Sequence, residues 1–154
     1  SNFSTYKLDL KRQQYLGTNG LVLEFNASGQ LASAPLPTPE KFSFGGPDYG
    51  RAFANSHIFG DAGWSSSIQL TKNMYLKNGS ILSPFVWIDY GQTDDLTGET
   101  REKSASTYGV GIAGNLNRDL TYEFSYAVPG IDESNPSKTG PDHSILKFNL
   151  GLQF

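Results

Sequence analysis

An all-β fold, part of an antiparallel transmembrane β-barrel with meander topology, is what this sequence predicts, and three observations carry the prediction. Apolar and polar residues alternate with a period of two in one segment after another. The segments run for roughly 9–12 residues, enough to cross a hydrocarbon core at the usual tilt, whereas strands of soluble proteins average about 5–6. The connections between them alternate between short and long, the rhythm of a barrel with tight turns at one rim and loops at the other.

Each element follows from its own alternation. Tyr6, Leu8 and Leu10 oppose Lys7, Asp9 and Lys11; then Leu21, Leu23, Phe25, Ala27 and Leu31 oppose Val22, Glu24, Asn26, Ser28 and Gln30. Trp64, Ile68, Leu70, Met74 and Leu76 share the next outer face, against Ser65, Ser67, Gln69 and Thr71. From Leu82 to Gly91 the outward set is Leu82, Pro84, Val86, Ile88 and Tyr90, which places Phe85, Trp87, Asp89 and Gly91 inside. Tyr108, Val110, Ile112 and Leu116 face away from the small residues Gly109, Gly111 and Ala113 and from Thr107 and Asn115. Leu120, Tyr122, Phe124, Tyr126 and Val128 alternate with Thr121, Glu123, Ser125 and Ala127, and the last segment sets Leu146, Phe148, Leu150, Leu152 and Phe154 against Lys147, Asn149, Gly151 and Gln153. About seven strands result. Short turns are expected at Gly17–Gly20, Lys77–Ser80 and Asn117–Asp119, and long loops over roughly 33–62, 92–105 and 129–143. No amphipathic helix of useful length competes with this reading.

Composition narrows the function classes. The 154 residues fit one unit, with mean hydropathy −0.40 and no apolar run long enough for a membrane helix. A barrel tolerates such a low average because lumen-facing residues dilute the lipid-facing ones. A net charge of −3 leaves no basic face for nucleic acid, and the absence of cysteine removes disulfides and thiolate metal sites. The first residues carry no basic and apolar leader, so an exported protein is expected to have one upstream.

Two stretches carry a resemblance. Phe42–Phe53, with Gly45, Gly46, Gly50, Arg51 and Phe53, followed by Phe59-Gly60-Asp61-Ala62-Gly63, resembles the long inward-folded loop of two-partner-secretion transporters, the haemolysin-activation/secretion family. Gly50-Arg51-Ala52-Phe53 stands where that family has Val-Arg-Gly-Phe/Tyr, departing at two of the four positions. Pro84–Gly91, with Trp87, Asp89 and Gly91, is similar to the family's aromatic-x-Asp-x-Gly strand motif.

The resemblance implies that the loop arginine, Arg51, reaches into the lumen and pairs with Asp89. Alternation independently puts Asp89 inside, where a carboxylate needs a cation or water, and the guanidinium fork suits it. Breaking such a pair costs roughly 3–5 kcal/mol if it is shielded and about 0–1 if it is wet.

The resemblance also implies a role and a place: translocation of an exoprotein across the bacterial outer membrane, without cofactor. The implied partners are the exoprotein, outer-membrane lipid, and the barrel-assembly machinery acting through the C-terminal strand, with Phe154 as its insertion signal. Residues 1–154 then form the C-terminal part of a barrel whose N-terminal strands, plug helix and POTRA domains are absent from this sequence. Seven strands would leave two open edges, which lipid does not tolerate.

Rival readings are a barrel-assembly insertase or surface-antigen barrel of the same superfamily, and a soluble carbohydrate-binding β-domain whose aromatic residues would be core and ligand platform. Enzyme chemistry finds no support: His57 and His143 sit far apart in external loops, no nucleophile or phosphate-loop motif is present, and Asp94, Asp95, Glu99 and Glu102 read as a solvated acidic loop.

Overall fold

Successive hairpins build a single antiparallel sheet. The computed structural model describes residues 2–97, 102–116, 119–133 and 144–152. Its strands are β1 (Thr5–Leu16), β2 (Leu21–Ala32), β3 (Phe42–Phe44), β4 (Ile58–Gly60), β5 (Ala62–Lys72), β6 (Met74–Tyr75), β7 (Ile81–Asp94), β8 (Lys103–Leu116), β9 (Leu120–Asp132) and β10 (Ile145–Leu152). The sheet runs β1-β2-β5-β7-β8-β9-β10, and β6 prolongs β5 against β7. A second, two-stranded sheet, β3-β4, belongs to the loop between β2 and β5. Among the described residues no helix is long and apolar enough to cross a membrane, a statement that does not bear on strands.

The seven expected segments and their faces are all present as the path of this sheet. Two ladders reach further than alternation suggested. β7 and β8 extend to Asp94 and back from Lys103, so their connection is shorter than the expected 92–105, and β9 runs to Asp132. The periodic signal fades there because polar residues such as Gln92, Thr93, Asp94, Lys103 and Ser104 occupy both faces. Phe154, His143, Glu99 and two turn residues of the β8–β9 connection, 117 and 118, lie outside the described residues.

The two faces of the wall differ as a barrel requires. Outward-pointing Leu8, Ile88, Val110, Phe124, Leu146 and Leu150 are exposed, while Ser65, Ser67, Trp87, Asp89, Thr107 and Ala127 on the other face are buried. Among the described residues these outward apolar side chains stay exposed and do not meet in a dry centre between two sheets.

Their placement is also slanted. The apolar stripe of β1 centres on Leu8, whose ladder row passes through Gly29 and Trp64 to Gln92 on β7. The stripe of β10 centres near Asn149, whose row passes through Glu123 and Ala113 to Ser83. The belt therefore drifts by about nine residues across six strand steps, and with ~3.3 Å per residue and ~4.8 Å between strands it lies at about 45° to the ladder rows. Tilted strands crossing a flat slab produce that slant.

Candidate functional site

The site is built by residues 33–61, which leave the top of β2, turn back into the concave side of the sheet and return into β5. At its root the loop is fixed by Asp61, a fully buried carboxylate between β4 and β5. One oxygen accepts the Leu36 N–H and the other the Leu96 N–H, each at 2.7 Å. Lys41 Nζ stands 3.6 Å from Asp61 Oδ1 and donates to Asp95 Oδ1 at 2.6 Å.

These contacts join the outgoing arm of the loop, its return and the β7–β8 connection. Burial pushes the Asp61 carboxyl up, but the two amides and the Lys41 charge outweigh it and hold the group below its ordinary value. The Lys41 ammonium is held above its ordinary value, first by the hydrogen bond to Asp95 and against the effect of desolvation. Gly60, beside Asp61, packs directly on the Asp94 backbone.

The β3-β4 hairpin leads down to a reversal in which Gly45, Gly46 and Gly50 all take positive φ, at 125°, 125° and 77°. Gly45 shows why: its N–H donates to Tyr49 O and its carbonyl accepts from Ser56 N, and a Cβ there would strike the Ala54 carbonyl and the His57 backbone.

The reversal aims the N–H groups of Gly50 and Arg51 at Asp89 Oδ2, at 3.1 and 3.2 Å. Thr107 Oγ1 donates to the same oxygen at 3.2 Å, and Arg51 Nη2 donates to Oδ1 at 3.3 Å. Arg51 Nε lies 3.2 Å from Oδ2 without hydrogen-bond alignment, so it acts there as charge alone. The guanidinium is further held by Gln69 Oε1 at 2.7 Å and Ser67 Oγ at 2.8 Å, and its carbon sits 4.7 Å from the Trp87 ring centre.

Packing finishes the seat. Phe44, Phe53 and Ile58 of the loop cluster with Ala105 of the wall, and Ala52 packs with Phe85, Trp87 and Ala127. The Phe44 ring occupies the space that a side chain on Gly91 would need. Beside Arg51 a polar cavity of about 490 Å³ opens between loop and wall, lined by Glu24, Asp48, Gln69, Asn73 and Glu123 among others.

The structure thus brings Arg51 and Asp89 into contact, sets Trp87 over the guanidinium, Gly91 under Phe44 and Phe53 in the loop's apolar cluster, and puts Gly60 and Asp61 at the loop's root. Phe154 lies outside the described residues. Sequence reasoning missed that the loop's own N–H groups are half of Asp89's hydrogen bonding, and that Ser67, Gln69 and Thr107 complete the cage. Their inward parity was readable, but which inward residues stand opposite the loop tip depends on register. Of the expected solvated acidic loop, Asp94 ends β7 and Asp95 is paired with Lys41, while Glu99 lies outside the described residues.

A family model described as haemolysin secretion/activation protein ShlB/FhaC/HecB matches residues 1–114. No curated protein matches the chain.

Proposed function

The chain belongs to the haemolysin secretion/activation family of ShlB, FhaC and HecB, and from that membership we propose that it forms pore wall and inward loop of a transporter carrying an exoprotein across the bacterial outer membrane. The observation that carries the proposal is the opposite dress of one sheet's two faces. Outside runs the slanted apolar belt, suited to lipid; inside lies a loop seated on Asp89 through hydrogen bonds beside a polar cavity.

The loop tip is fastened by polar groups next to water-sized space as well as by its apolar clusters, and water can take over each polar bond that it leaves. In this reading the seated tip holds the wall in its conducting conformation, and it shifts against the polar cavity beside Arg51 without leaving the lumen as the exoprotein passes. The cavity's Glu24, Gln69, Thr71, Asn73 and Glu123 offer exchangeable hydrogen bonds to an extended polypeptide. Lipid surrounds the belt, and the barrel-assembly machinery would act on the C-terminal strand during insertion.

Arg51 and Asp89 are the proposed anchor. Secretion of the cognate exoprotein by the full-length protein is expected to fall at least tenfold in Arg51→Ala and in Asp89→Ala, equivalent to about 1.4 kcal/mol of loop positioning. The exchange Arg51→Asp with Asp89→Arg should restore little, because the Gly50 and Arg51 amides would then face a cation. Undiminished secretion in both single variants removes the anchor from the proposal.

A further inference from the structure

Asp132 is on the wrong side of its strand. Along β9 the odd positions Ser125 and Ala127 are buried inside, and the even positions Phe124 and Tyr126 are exposed outside. Alternation therefore sends Asp132 outward. The ladder between β8 and β9 instead shifts from Thr107↔Pro129 to Ala105↔Asp132, so that β9 spends one residue more than β8 over this step. This β-bulge reverses the faces: Ile131 is 52% exposed, and the Asp132 side chain is 12% exposed and points toward the loop.

The bulge is fixed on both sides. Ser106 Oγ accepts the Ile131 N–H at 2.8 Å, and Gly130 sits against Ser106 where a Cβ would collide. Beyond Asp132, the Glu133 N–H donates to Ser104 O at 2.9 Å, and Ser104 Oγ donates to Glu133 Oε2 at 2.6 Å.

What Asp132 meets is His57, on the loop's return arm, with Nε2 and Oδ1 3.1 Å apart. The His57 ring lies flat on Phe53, with centroids 4.1 Å apart and planes 4° from parallel, which fixes the direction of Nε2. Ser56, just before it, has φ of 55°, a left-handed conformation unusual for a non-glycine residue. Ile58, just after it, is buried in the cluster with Phe44, Phe53 and Ala105, and Ala105 is Asp132's ladder partner. A neutral ring with its proton on Nε2 donates to the carboxylate, and so does the imidazolium, so the contact persists in both protonation states.

We propose that His57 is a positioning residue, clamping the loop's return arm to the top of β9 through Asp132, independently of the Arg51 anchor on β7. The inference deepens the transport reading, on which it rests for the loop's purpose. The arm that returns to the wall is held at β9 while the tip is held at β7, so the tip can leave Asp89 without the loop leaving the lumen.

Residues 1–154 contain no cysteine, so the labelling that a cysteine at exposed Asn55 adds over the parent protein reports on the return arm. In the full-length protein, modification of Asn55→Cys by a membrane-impermeant maleimide is expected to quicken about fivefold in His57→Phe, which keeps the ring on Phe53 but loses Nε2, and equally in Asp132→Leu, which is of similar size but has no acceptor. The double variant should be no faster than either single one. His57→Gln, which retains a side-chain N–H, should recover part of the protection. Unchanged rates in both single variants, additive effects, or a Gln variant as fast as the Phe variant would overturn the clamp. Faster modification with undiminished secretion would keep the clamp and remove the loop from the transport reading, so the two failures are distinguishable.

Discussion

The inward loop hangs from two fully buried carboxylates that are built in opposite ways. At the root, Asp61 belongs to the loop and collects two N–H groups at 2.7 Å from neighbouring chain segments, plus the Lys41 charge. At the tip, Asp89 belongs to the wall and collects the loop's amides and guanidinium at 3.1–3.3 Å, with one guanidinium nitrogen out of line. The root joins loop to loop through a carboxylate that is itself fully buried, while the side chains of Lys41 and Asp95 stay partly exposed at 14% and 30%. The tip joins loop to wall beside a cavity of about 490 Å³ that includes Arg51 in its lining, so its partners can be rehydrated as they separate. Equal burial thus does not mean equal bonding: the root's amide bonds are 2.7 Å long and the tip's 3.1 and 3.2 Å, with water-sized space beside the tip.

The largest effect expected from this contrast is in Asp61→Asn. The amide can accept from one of the Leu36 and Leu96 N–H groups but turns a donor on the other, and Lys41 loses a buried countercharge. A loss of roughly 3–5 kcal/mol is expected, against about 1–3 for Asp89→Asn, whose stranded amides regain water. Urea unfolding of the full-length protein in detergent micelles measures both. Residues 1–154 hold two tryptophans, and in a Trp64→Phe background the emission that Trp87→Phe removes isolates the reporter beside Arg51. Asp89→Asn costing as much as Asp61→Asn would break the comparison.

A smaller effect sharpens it from the wall side. Gly91→Leu would put a side chain where the Phe44 ring sits, two positions 47 residues apart in the sequence that meet only in the fold. Global stability is expected to fall by about 1–3 kcal/mol, the range for overpacking a filled site, while Trp87 emission moves toward that of a solvated indole as the tip lifts. An unchanged emission maximum would mean that the tip stays seated without Phe44, and that the aromatic seat is not part of what holds it.

Much of this was legible before any coordinates. Period-two alternation places Val22, Phe85, Trp87, Asp89 and Thr107 inside, because a one-residue slip would invert every side chain of a strand and the hydrophobic pattern forbids it. The Arg51 and Asp89 pair followed from a motif resemblance joined to that parity. What alternation cannot give is register between strands. Trp87 stands opposite Gly109 and Phe85 opposite Gly111, so each large inward ring has an empty place beside it, yet neither pairing is implied by either strand alone. Asp61's partners were hidden for a different reason: a carboxylate that binds backbone N–H groups leaves no complementary residue type to search for. Asp132 was hidden most deeply, since the bulge that turns it inward breaks the rule by which every other inward residue was found.

The smallest effect concerns pH and separates the root's two charges, both outside the wall strands. Asp61 is held below the ordinary carboxyl value of 3.8, so its contribution is fully present above that value and is lost as pH falls through the depressed one. Lys41 is held above 10.5, so its contribution is complete below that value and is lost as pH rises through the raised one. The root should therefore contribute a constant stabilisation between about pH 4 and 10 and decline at both ends. In Asp61→Asn the acid decline should be shallower than in the parent, and in Lys41→Met the alkaline decline should be shallower while the acid one remains, since the two amides still favour the Asp61 carboxylate. Urea midpoints across that range decide it. An acid decline that disappears in Lys41→Met would mean that the ammonium, rather than the Leu36 and Leu96 amides, is what keeps Asp61 charged, and the root would then be held by an ion pair and not by backbone.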